Sequence, residues 1–108
     1  MKTELTTEES QHLIDLGVPK ELASISEDMY GPTLFALEDF LNGEILPKEI
    51  VDDTWGFISE LGMRWYREVD SWLVGYNGNA HFVSGELIDA LYQLACWYYG
   101  EYLKSEKK

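Results

Sequence analysis

The chain has 108 residues, 20 acidic and 8 basic, for a net charge of −12 at pH 7; 45% of its residues are hydrophobic and 14% aromatic. That apolar share exceeds what an acidic disordered tail carries, and the charge has the wrong sign for gripping nucleic-acid phosphates by counterion release. The length fits a single domain over residues 1–108, which would bury roughly two-thirds of the surface its unfolded chain exposes.

In chain order, Thr6-Thr7-Glu8-Glu9 predicts a helix start, with Thr6 as cap and Glu9 completing a capping box. Leu13 and Leu16 carry its apolar face, Gly17 suits the left-handed position beyond its end, and Pro19 opens a short turn through Ala23. Residues 26–33 read as a loop. Leu37, Phe40 and Leu41 have i, i+3, i+4 spacing, so a short helix is expected over 37–42, ending near Gly43. Leu46-Pro47-Lys48-Glu49-Ile50 leads out in extended form. From Thr54 the period changes to two. Runs around Trp55–Ile58, Met63–Val69 and Trp72–Tyr76, broken near Gly62 and at Asp70-Ser71, predict a three-stranded antiparallel meander closed by Asn77-Gly78-Asn79. Ser84 suits the cap of a final helix over 85–103. Its apolar arc spans about half the wheel, wider than a surface helix needs. The fold class expected is α+β, in the order α-α-β-β-β-α, with the meander covered by the long C-terminal helix. That broad arc also makes a homodimer conceivable.

No run of about 18 apolar residues occurs, so no transmembrane helix is expected. The polar, acidic start does not resemble a signal peptide. One cysteine, Cys96, allows no internal disulfide, reads as a small buried hydrophobe, and points to a cytoplasmic setting.

The charge is concentrated. Residues 1–26 carry a net −3 and residues 64–108 a net −1, whereas 27–63 carry nine acids (Glu27, Asp28, Glu38, Asp39, Glu44, Glu49, Asp52, Asp53, Glu60) against one base, Lys48. A solvated surface explains this, and so does a docking face for a basic protein partner. Asp52-Asp53 is a minor cation candidate.

No motif supplies catalysis. His12 and His81 stand outside any HExxH or Cys/His cluster, with His81 read in the loop before the final helix. No G-x-S-x-G elbow or phosphate-cradling loop occurs. Twelve of the fifteen aromatics lie between Trp55 and Tyr102, and core packing is expected of them. A base-stacking platform would need a basic groove, and Arg64 and Arg67 are expected on opposite faces of one strand, where they make no patch. One aromatic breaks the pattern: Trp97 falls in the polar arc of the final helix, between Gln93 and Glu101. Tryptophan there suggests an interface anchor, unless the N-terminal helices fold over that flank.

Thr6-Thr7-Glu8-Glu9, His12-Leu13-Ile14-Asp15-Leu16-Gly17-Val18-Pro19, Leu46-Pro47-Lys48-Glu49-Ile50, Trp72-Leu73-Val74-Gly75-Tyr76 and Glu86-Leu87-Ile88-Asp89-Ala90-Leu91-Tyr92 together resemble uncharacterised small acidic proteins encoded in phages and prophage-like elements of gut bacteria. The resemblance implies a cytoplasmic accessory protein of a mobile element and carries over no site residues. The resulting expectation is a non-enzymatic protein-binding domain without cofactor or metal, whose candidate contacts are Trp97, Glu27, Asp28, Glu38, Asp39, Asp52 and Asp53. The alternatives are an acidic DNA mimic that inhibits a basic nucleic-acid-binding protein, and a small-ligand domain or enzyme needing a cleft with His81 beside a buried acid.

Overall fold

The computed structural model describes residues 1–25, 33–52, 57–76 and 80–106. Helix α1 (Thr7–Leu16) begins as its capping residues dictate. The Glu9 N–H donates to Thr6 Oγ1 at 3.1 Å, and the Thr6 N–H donates to Glu9 Oε1 at 3.0 Å. It ends at Gly17, whose φ of 115° lets the Gly17 N–H reach Ile14 O and the Val18 N–H reach Leu13 O, both at 3.0 Å. A 3-10 turn (Lys20–Leu22) follows Pro19, and α2 (Leu37–Leu41) is the expected short helix. The loop expected over 26–33 lies, apart from Thr33, outside the described residues.

Among the described residues the sheet has four strands: β1 (Glu49–Asp52), β2 (Phe57–Tyr66), β3 (Ser71–Tyr76) and β4 (Ala80–Ser84), an antiparallel meander in spatial order β1-β2-β3-β4. The α+β class stands; the strand count differs from three. The two runs flanking Gly62 form one strand, because Gly62 pairs with Gly75 in unbroken register and causes no bulge. The extended exit at Glu49-Ile50 is β1, and the residues around His81 are β4 rather than a loop. Arg67 and Val69 lie in the turn between β2 and β3, so Arg64 and Arg67 do not share a strand. The turn expected at 77–79 lies outside the described residues, as do residues 53–56.

Helix α3 (Leu87–Trp97) crosses β3 and β4, burying Leu87, Ile88, Leu91 and Leu94. Ser84 is the last residue of β4, not the helix cap; its hydroxyl accepts from the Glu86 N–H at 3.3 Å. Beyond Trp97 the helix runs through a π turn (Tyr98–Tyr102), where the Leu103 N–H bonds to Tyr98 O, and then into α4 (Leu103–Glu106).

The wide apolar arc of α3 is satisfied within the chain. Its second flank meets α1 and α2, and Leu5, Leu13, Phe35 and Phe40 join Val74, Tyr76 and Leu91 in one core. Tyr76 Oη donates to Pro47 O at 2.6 Å and Tyr99 Oη to Ile45 O at 2.9 Å, tying the segment before β1 to β3 and to the π turn. Helices α1, α2 and α3 therefore lie on one side of the sheet, and the Cα envelope is only 19 Å in its shortest dimension.

Candidate functional site

Strand register assigns the sheet's two faces. Ile50 and Ser59 pair, are buried, and face the helices, as do Val74 and Tyr76. Alternation then places Val51, Ile58, Glu49, Glu60, Gly62, Arg64, Tyr66, Leu73, Gly75, His81 and Val83 on the other face. There, Val51 pairs with Ile58, and they are 50% and 61% exposed; Val83 pairs with Leu73 and is 54% exposed. Half-buried sheets ordinarily turn polar side chains to water, so exposed aliphatic pairs at both margins of a face that no described element covers depart from that pattern.

The middle of that face is concave. A groove of about 390 Å³ runs over Gly62 and Gly75, with Glu60, Arg64, Tyr66, Leu73 and His81 along it. Gly62 is not required by the backbone. Its φ is not left-handed, and an added Cβ would make only ordinary contact with Gly75 O at 3.7 Å. The missing side chain keeps the floor low. Among the described residues both ion pairs belong to Lys2 (to Glu9 at 3.1 Å and Asp89 at 2.7 Å), so Arg64 is not tied to a carboxylate there.

A second groove, also about 390 Å³, lies where β4 meets the helix layer, lined by Phe82, Tyr92, Gln93, Cys96, Trp97 and Glu101. Trp97 is half-buried. Its ring packs 5.4 Å from Tyr102 and 6.5 Å from Tyr98, while one edge remains on the groove. Cys96 is half-buried rather than buried; burial pushes its thiol above the usual range, against a reactive thiolate, although a hydrogen bond with Tyr92 opposes this. Burial likewise pushes the Tyr92 hydroxyl up to about 12. Helix α1 approaches the opposite side of Tyr92, whose ring lies 6.4 Å from that of the exposed His12.

Of the acidic candidates whose side chains are described, Asp39 is buried and Glu38 is exposed. Asp39 is 3% exposed, and its Oδ2 accepts from Ala36 N (2.7 Å), Ser24 N (3.0 Å) and Ser24 Oγ (3.2 Å). It braces α2 from inside and faces no partner. Glu38 is exposed on α2. Asp52 ends β1, and nothing is described of its side chain; Glu27, Asp28 and Asp53 lie outside the described residues. Of the nine acids in 27–63, register brings together Glu49 and Glu60. The Leu61 N–H bonds to Lys48 O at 2.8 Å, which makes Glu49 and Glu60 a non-hydrogen-bonded pair, the closer kind.

The aromatics also divide. Trp65 shares the helix-side face with Val74 and Trp72 by register, and its ring sits 5.5 Å from that of Trp72, yet it is 42% exposed because β2 runs past the helix layer. His81 stands on the bare face, not beside a buried acid. Among the described residues no three His, Cys, Asp or Glu side chains are grouped to hold a metal ion, and no helix is long and apolar enough to cross a membrane.

Comparison with known protein families, with curated proteins and with solved structures finds no match for this chain.

Proposed function

We propose that the chain is a non-enzymatic docking domain that presents the bare face of its sheet to a protein partner. One observation carries this reading: Val51, Ile58 and Val83 stand exposed on a sheet face that no element among the described residues covers. The glycine-floored groove between them offers a recess for a partner side chain, and the net charge of −12 favours encounter with basic proteins. The single cysteine supports a reducing, cytoplasmic setting, and the resemblance to phage-encoded acidic proteins supports an accessory role. The test is differential capture from host extract with the wild-type chain and Ile58→Lys, read by mass spectrometry. A partner retained by the wild type and lost with Ile58→Lys is expected; identical captures would overturn the assignment of this face.

A further inference from the structure

The two edges of the sheet are built differently. β1 reads Glu49-Ile50-Val51-Asp52, with an acid at each end, whereas β4 reads Ala80-His81-Phe82-Val83-Ser84, with no lysine, proline or acid. Natural edge strands are normally guarded by such residues or covered, because their unpaired N–H and C=O groups template another strand. Among the described residues, every strand pairing of β4 is to β3.

We infer that the free edge of β4 receives an extended, cationic segment of a protein partner, which adds a fifth strand and lays a lysine or arginine side chain along Trp97 toward Glu101. This rests on the docking reading above and names the edge and the chemistry. Strand addition draws affinity from main-chain bonds and selectivity from pockets that take alternate side chains. β4 has both kinds of neighbour. On the bare face, Val83 awaits an aliphatic contact; on the helix side, the groove beside Phe82 and Trp97 is walled by rings and, among the described residues, carries Glu101 as its one formally charged lining residue. An aliphatic stem ending in a cation matches that arrangement, since it can cover the rings, meet the indole face and pair with the carboxylate. A second copy of this chain is disfavoured as occupant. Each brings a net charge of −12, and β4 itself offers no lysine or arginine.

The probe is a short blocked peptide of alternating valine and lysine, added to the isotope-labelled full chain. Amide exchange, the Trp97 indole signal and affinity are read together. Slowed exchange confined to β4 is expected, with a shift of the Trp97 indole. Affinity should weaken by about tenfold in Trp97→Leu, and also in Val83→Lys, an exposed site where circular dichroism checks the fold. A backbone N-methylated peptide and a valine–glutamate peptide should both fail. Equal binding of either control, or protection on β1, overturns the inference. So does β4 protection without peptide in a light-scattering dimer, which would make a second copy the occupant. If β4 stays unprotected while Ile58→Lys still releases a captured partner, this inference falls and the docking reading stands. If neither responds, both fall.

Discussion

At Asp39, one carboxylate oxygen accepts from two backbone N–H groups and a hydroxyl, within a site that is 3% exposed. Removing it leaves buried donors unsatisfied, so Asp39→Ala should lower unfolding free energy by about 2–3 kcal/mol in urea melts, whereas the exposed Glu38→Ala should stay within about 0.5 kcal/mol of wild type. The sequence placed both in one acidic run. The signal that separates them is position: Asp39 is the third residue of α2 and reaches back to the N–H of the residue before it, half of a capping box. Gly17 was legible for the complementary reason, because a helix end followed by Pro19 needs a left-handed residue. At its φ of 115°, Gly17→Ala should cost about 1–2 kcal/mol. Trp97 was legible as an exception on a helical wheel. Trp65 was not, since period two tells which face a side chain takes but not where the covering layer stops.

Elements made of a single clear period were readable: α1, α2, β3 and α3 lie where spacing puts them. β4 was hidden by its shortness and by Val83, an aliphatic residue on the face where a half-buried strand ordinarily turns polar side chains to water. The π turn was also invisible to a wheel drawn at a constant angle. It winds less per residue, and Gly100 lies against α1, where an added Cβ would sit 3.6 Å from Leu16 Cδ2. The proposed face–edge site depends on these hidden features, so helical spacing points to Trp97 but not to the sheet edge beside it. Two changes test the sheet as an element. Glu60→Lys replaces a like-charged cross-strand pair with an opposite one and should stabilise by about 0.5 kcal/mol in urea melts. Gly62→Val raises the groove floor at a position open to a side chain. Stability should stay within about 1 kcal/mol of wild type or rise, while partner capture drops.

At the scale of the whole molecule, five shifted groups among the described residues act on the alkaline side and Glu9 acts on the acid side. Burial raises the Tyr76, Tyr92 and Tyr99 hydroxyls above their ordinary 10.0 and the Cys96 thiol above 9.0; hydrogen bonding to Asp89 raises Lys2 above 10.5. A group with a raised folded-state value contributes stability that is complete below its unfolded value and is lost as pH climbs toward the folded one. All five therefore act in the same direction, and stability should fall steeply from about pH 9–10 upward. On the acid side Glu9 acts oppositely. Burial pushes it up, but the Thr6 N–H and Lys2 outweigh this and hold it below 4.5, so its contribution disappears only as pH falls beneath that value. Melts across pH should thus show a sharper alkaline than acid limb from these groups, with the tyrosinate absorbance of Tyr76, Tyr92 and Tyr99 withheld until the chain unfolds. Full tyrosinate absorbance from the intact fold near pH 10 would contradict the argument. Tyr76→Phe isolates the largest contributor: losing the 2.6 Å bond to Pro47 O should cost about 1 kcal/mol at neutral pH, yet make the alkaline loss shallower, because one titrating group no longer distinguishes folded from unfolded chains.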